Sequence, residues 1–344
     1  MSRSSHTRWQ PGPFGAIWVA TALLFALSPL LAHSSLSNSS LQAMLPFAAV
    51  LAVAAVGQTL VIQQGGLDLS VPGTFSLGVV LVVVVPGGDP GRLWLGLAVV
   101  VAAGVVAGLA NGLAVTRFGI TPLVATLGMN GLLIGAVLQV TGGRINYEAP
   151  SNWSSFVGDK VAGIPVATLL ALVFVAVVAV LLSRTLWGRW FELVGTNPRA
   201  ARAAGLPVQR AQLASYVAAG ACYALAGALL AGFLGRPQLF AGDDYLLPTI
   251  AAVVLGGTAL GGGRASVVAT AVGVLFFSQL DQLLEVLGAS QAVQYCIQGA
   301  IVALGMGLRQ VPWGRLPRPA ARRPTGAVPG SEDRASARAA SPVA

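Results

Sequence analysis

The sequence predicts an all-α fold: a polytopic helical membrane protein of about ten transmembrane helices, some of them interrupted by glycine. Composition is the first ground. Of the 344 residues, 55% are hydrophobic, 9% are charged and 43 are glycine, which leaves too little charge to clothe a soluble domain and suits a bundle of membrane helices. Patterning is the second. Long apolar runs alternate with short polar breaks from Phe14 to about Leu308, and most approach the ~20 residues that an α-helix needs to cross a hydrocarbon core of ~30 Å. Charge placement is the third, and it orients the chain.

In chain order the first five spans are Phe14 to Ala32, Leu41 to Gln63, Leu69 to Val85, Leu93 to Val115 and Pro122 to Val140. The next five are Val161 to Leu182, Ala211 to Phe233, the short run Leu246 to Leu260, Ala265 to Leu284 and Gln291 to Leu308. The first run follows Arg3 and Arg8, is long for a signal-peptide core and has no small-x-small cleavage site behind it, so it reads as a retained helix. Ten passes put both termini on one side. If that side is the cytoplasm, only Arg92, Arg144, Lys160 and Arg236 lie outside and the other sixteen of the 20 Lys and Arg lie inside, as the positive-inside rule expects. The net charge of +9 therefore describes a membrane orientation and contact with lipid headgroups. No aromatic-basic module accompanies the arginines, which argues against nucleic acid as a partner.

The domain plan follows. Residues 1–12 form a cytoplasmic arm, 13–310 form one transmembrane domain with a long cytoplasmic connection at 184–210, and 311–344 form a tail rich in Pro, Arg, Ala and Ser. That tail cannot bury enough apolar surface to order itself. Cys222 and Cys296 both fall inside predicted spans, which speaks against a disulfide.

Within this apolar chain the stretch Gly57 to Ser76, GQTLVIQQGGLDLSVPGTFS, sets a carboxylate and paired glycines between two spans. A carboxylate at bilayer depth costs roughly 2.5 to 3.5 kcal/mol on insertion scales. The topology places Asp68 at the cytoplasmic end of the second and third spans, where the cost is lower. There Asp68 or Ser70 is expected to cap the third helix, and Gly65 and Gly66 to permit a tight reversal. A similar pattern of apolar run, glycine pair, polar turn and apolar run recurs at Gly256 and Gly257, in the same direction through the membrane. Together these residues form a predicted hinge or gate motif.

The connection after Leu182 carries every signal of a short helix. Asn197 suits the N-cap, Pro198 the first helical position, Gly205 a left-handed C-terminal position, and Pro207 stops continuation. A helix of about two turns is not stable alone in water and must be docked. Its alanines present a small, smooth face, which suits a protein groove better than lipid, and Arg199 and Arg202 present a polar one. Polar residues inside spans, Asn111, Thr126, Asn130 and Gln139, are candidates for a solute pathway, with hydrogen bonding between helices as the alternative role.

Catalysis is not expected. The molecule's one lysine, Lys160, has no glycine-rich loop, so no nucleotide phosphate cradle is present. His6 and His33 lack partner ligands, and no HExxH or GxSxG occurs. Asp281 and Glu285, one helical turn apart, read as the external end of a span. No metal or cofactor is expected.

Four segments in this order and spacing, GGLDLSVPG, NGLAVTRFGITPLVATLG, VGTNPRAARAAGLPV and LPTIAAVVLGGTALGGG, resemble the permease subunits of ribose, xylose and arabinose type ABC importers. The resemblance runs from about Leu41 to Leu308 and implies the ABC importer permease fold. It implies an inner-membrane protein of a bacterium working as a pair of permease copies above two ABC ATPase subunits, with an extracytoplasmic sugar-binding protein delivering a monosaccharide, most often a pentose. It further implies that Gly195, Asn197, Pro198, Arg199, Arg202 and Gly205 belong to the ATPase-coupling loop. Two positions depart from the family pattern: Pro72 stands where glycine is usual and Leu67 where isoleucine is usual. Pro72 is expected to stiffen the turn into the third span or change its kink. The alternative function is a secondary carrier or facilitator in which Asp68 carries a proton. Energy source discriminates the two.

Overall fold

The computed structural model describes residues 14–310. The expected arm at 1–12 and tail at 311–344 lie outside the described residues. Each of the ten predicted spans contains a helix, but the helices are unequal. In chain order they begin with α1 (Gly15–Leu31), α2 (Asn38–Gln63), α3 (Val71–Val84), α4 (Leu93–Thr116) and α5 (Pro122–Thr141). A short α6 (Ser151–Gly158) and a two-stranded hairpin, β1 (Lys160–Val161) antiparallel to β2 (Ile164–Pro165), follow. Then come α7 (Val166–Arg184), α8 (Leu186–Thr196), α9 (Pro198–Ala203), α10 (Val208–Leu234), α11 (Leu246–Leu255), α12 (Val267–Val286) and α13 (Gln291–Gln310).

Among the described residues six helices are long and apolar enough to cross a bilayer: α2, α5, α7, α10, α12 and α4, the last extended at its start by a 3₁₀ turn at Pro90–Arg92. The predicted count of ten is thus approximate. With 14 and 10 residues, α3 and α11 reach only roughly 21 and 15 Å at 1.5 Å per residue, short of a hydrocarbon core of ~30 Å. One boundary and two elements also differ from the expectation. The span placed at Val161 begins at Val166, because Gly163 turns the preceding residues into the hairpin with φ +82°. Neither α6 nor α8 was foreseen as a helix.

Local chemistry accounts for the starts. Ser37, Thr185 and Ser266 accept backbone amides of Ser40, Gly188 and Ala269 at the beginnings of α2, α8 and α12. Pro72 occupies the first turn of α3, where the amide it lacks would have had no helical partner. It therefore costs no helix bond.

The core is built around α10, which packs along α2, α3 and α4. Small residues set the distances. A Cβ on Gly104 of α4 would strike the Gly220 carbonyl of α10, one on Gly220 would strike the Gly104 carbonyl, and Gly108 meets Tyr216 in the same way. On the other side Gly78 of α3 lies against Ala224, and Gly227 against Phe75. Such close backbone approach is the principal source of attraction between helices where lipid supplies no hydrophobic drive. As a result α3 is buried along almost its whole length, whereas α5 and α7 turn most of their side chains outward.

Candidate functional site

The predicted motifs converge at one end of the bundle. After Gln63 the chain leaves α2, turns at Gly65 with φ +79°, and re-enters the bundle as α3. The Gln63 carbonyl, an orphan acceptor at a helix C-terminus, takes the Gly263 amide at 3.1 Å. A Cβ on Gly195, at the end of α8, would collide with that same carbonyl. Beside it, Gln64 Nε2 donates to the Phe191 carbonyl at 2.8 Å, and Arg264 Nε meets Glu192 Oε1 at 3.3 Å. The reversal after α2, the reversal before α12 and the helix α8 thus share one junction.

Gly256 and Gly257 do not form that junction. Gly256 closes α11, its amide bonded to the Ala252 carbonyl at 2.8 Å, and packs against α12, while Gly257 turns with φ +109°. It is the following run, Gly261 to Gly263, that approaches Gly65: Gly262 has no room for a Cβ against the Gly65 amide and the Gln63 carbonyl. The repeated glycines of that run were the available signal.

Asp68 is fully buried. Its Oδ1 accepts the Ser70 amide at 2.8 Å and the Ser70 hydroxyl at 2.6 Å, so it closes the turn ahead of α3. Ser70 is the N-cap residue but makes no side-chain cap; its hydroxyl accepts from Asn111 Nδ2 at 2.8 Å. The helix start is capped from elsewhere. Asn130 Oδ1 on α5 takes the Gly73 amide at 2.7 Å, and Thr126 Oγ1 takes the Leu69 amide at 2.9 Å. The expected cap by Asp68 or Ser70 is therefore corrected: Asp68 and Thr126 hold the amides of Ser70 and Leu69 ahead of the helix, and the acceptor for a first-turn amide of α3 is Asn130, from across the bundle. The second Asp68 oxygen, Asn111 Oδ1 and the Tyr216 hydroxyl are buried without a hydrogen-bond partner among the described residues, and Gly66 lacks room for a Cβ because that hydroxyl lies against it.

The four pathway candidates separate accordingly. Asn111, Thr126 and Asn130 are spent on the turn before α3 and on its first amides. Gln139 is exposed. It shares a face of α5 with Gly128, Gly131 and Gly135, at each of which an added Cβ would meet nothing within 4 Å.

At the same end of the bundle, α9 has the local structure its sequence predicts. Asn197 Oδ1 accepts the Ala200 amide at 3.0 Å, Pro198 sits in the first turn, and Gly205 adopts φ +79°. Ala201 is buried with Val194 and Val208, while Arg199, Arg202 and Gly205 are exposed.

Residues 40–305 match the family model described as branched-chain amino acid transport system / permease component. The chain belongs to this permease family. It is 34% identical over 299 residues to the ribose import permease protein of Bacillus subtilis (strain 168), covering 86% of this chain and 91% of the relative. It is also 34% identical over 259 residues to an autoinducer 2 import system permease protein of Yersinia enterocolitica, covering 73% of this chain and 78% of the relative. An autoinducer 2 permease of Yersinia pseudotuberculosis is 32% identical over the same length. No solved structure matches. The resemblance to sugar-importer permeases carried by four motifs thus extends over most of this multi-pass membrane protein.

Proposed function

We propose that this permease forms half of a translocation pathway for a monosaccharide or a sugar-like solute of similar size, with ATP hydrolysed on separate ATPase subunits and the solute delivered by an extracytoplasmic binding protein. The named relatives import ribose and autoinducer 2, which supports a small polyhydroxylated substrate class. In the orientation that follows from charge, the end bearing Arg117, Arg184, Arg189, Arg199, Arg202, Arg210 and Arg264 faces the cytoplasm of a bacterial inner membrane, and Arg92, Arg144, Lys160 and Arg236 face outward.

The observation that carries the mechanism is the shared junction at the Gln63 carbonyl. An ATPase that closes on the exposed α9 displaces α8, and α8 bears on both glycine reversals at once. Those reversals end α2 and begin α3 on one side, and begin α12 on the other. Rigid tilting of these helices about the glycine turns then opens the pathway alternately to each face. The route runs along the glycine stripe of α5, where Gln139 offers one polar contact on a smooth wall, against a second permease copy. Affinity resides in the binding protein, so the wall needs little chemistry of its own.

The test is uptake into proteoliposomes holding the permease and its ATPase. Transport that requires both ATP and the binding protein is the expected result; proton-driven uptake by the permease alone overturns the proposal. Gly205→Val adds a Cβ to a left-handed residue that is free of neighbours, so it disturbs α9 without disturbing the bundle. ATP turnover and uptake are expected to separate in that variant.

A further inference from the structure

The helix α8, which was not foreseen from the sequence, has three faces, and only two of them are accounted for by the junction. Gly188, Phe191, Val194 and Gly195 are buried against the protein. Arg189, Glu192 and Thr196 form a polar edge, with Glu192 paired to Arg264. The third face consists of Leu186, Trp190 and Leu193, spaced as i, i+4 and i+7, with Trp187 beside them. These side chains are 63%, 46%, 56% and 48% exposed respectively, a concentration of large apolar surface that a cytosolic helix would not leave in water.

The surroundings identify what covers it. Just before α8 in the chain, Val177, Val180 and Leu181 of the spanning helix α7 are exposed in the same way, so the open face of α8 directly follows the outward apolar surface of a spanning helix. Arg184 and Arg189 flank the junction between the two helices and are exposed. Leucine and tryptophan on one side, arginine at the edge and protein on the remaining side is the pattern of a helix lying in the headgroup layer. Anionic headgroups supply the complementary charge.

We propose that α8 is an interfacial membrane anchor: Leu186, Trp187, Trp190 and Leu193 insert at the acyl-headgroup boundary, and Arg184 and Arg189 hold anionic phospholipid headgroups. Bilayer and junction then grip opposite sides of one helix, so the bilayer sets the plane in which α8 can move. The sign of the headgroup charge follows from the orientation proposed above, whereas insertion itself does not depend on it.

The experiment uses the full chain in symmetric vesicles of brominated phosphatidylglycerol or brominated phosphatidylcholine, with and without its ATPase. Bromine quenching of tryptophan is expected to be greater for the parent than for Trp187→Phe/Trp190→Phe, and greater with phosphatidylglycerol. Arg184→Gln/Arg189→Gln is expected to lose the phosphatidylglycerol preference while retaining quenching. Equal quenching in the parent and the double Phe variant overturns the anchor, as does quenching that vanishes when the ATPase binds, since the face would then be a protein contact. Quenching without any lipid preference overturns the role of the arginines. Spin labels on Trp190→Cys and Thr196→Cys, in a Cys222→Ala/Cys296→Ser background, give an independent readout. Oxygen accessibility at the first and nickel-chelate accessibility at the second are expected, and the reverse contradicts the proposal.

Discussion

The Gly263 amide donates to the Gln63 carbonyl across 3.1 Å, joining two reversals that are about two hundred residues apart in the chain. The acceptor is a carbonyl that the end of α2 leaves without a helical partner, and Gly195 packs on the same atom. A bond of this kind contributes roughly 1 kcal/mol net, so its value lies in where it is placed. It joins the two turns of the helices that move in the proposed mechanism, at the carbonyl on which Gly195 of α8 packs.

Asp68→Asn is expected to preserve expression and a monodisperse detergent-solubilised protein, because an amide oxygen still accepts from the Ser70 amide. Asp68→Leu leaves that buried amide unsatisfied, a cost of about 1 to 3 kcal/mol, and is expected to lower yield and thermal stability sharply. Size-exclusion chromatography of the two variants distinguishes these outcomes. Loss of coupled transport in well-folded Asp68→Asn would return the charge itself to the mechanism.

Asn130 serves α3 as an N-cap borrowed from α5. Asn130→Ala is expected to destabilise the protein by about 1 kcal/mol, the usual value of a lost cap, and Asn130→Asp to retain most of the stability because it keeps an acceptor toward Gly73. Thermal unfolding in detergent measures both. Equal losses would show that the amide group, rather than the acceptor, is what matters.

Gln139 and Asn111 offer a contrast between pathway and scaffold. Gln139→Ala is expected to change the KM or rate of uptake and leave thermal stability within about 0.5 kcal/mol, as exposed substitutions do. Asn111→Ala is expected to reduce stability first, since it removes the donor to Ser70. Transport kinetics beside unfolding curves check the pair.

The ion pair between Arg264 and Glu192 is exposed on both sides. Breaking it with Arg264→Gln is expected to cost less than about 1 kcal/mol and to matter less as salt rises. A large, salt-independent loss would show that Arg264 serves some other contact.

Much of this was legible in the sequence where a signal is local. The ten apolar runs, the capped helix from Pro198 to Ala203 and the left-handed turn at Gly205 all follow from residues within a few positions of each other. What was not legible depends on distance or brevity. No local pattern says that Asn130 and Thr126 reach the start of α3, or that Gly263 and not Gly256 meets the end of α2. Helix α8 was read as connection because 11 residues with arginine and glutamate inside them lack the continuous apolar run of a span, although leucine and tryptophan recur there with helical spacing. Pro72 reads as a departure from the family pattern, yet in the first turn of α3 it costs no helix hydrogen bond.

Gly195→Val offers the most direct test of the junction. The variant is assembled with its ATPase and binding protein in proteoliposomes, and ATP hydrolysis and solute uptake are measured on the same vesicles. A side chain here must displace the Gln63 carbonyl, so uptake per ATP is expected to fall at least about tenfold, equivalent to roughly 1.4 kcal/mol of lost coupling, while assembly and ATP hydrolysis persist. Uptake per ATP equal to that of the parent, in a complex that assembles normally, would contradict transmission through this contact.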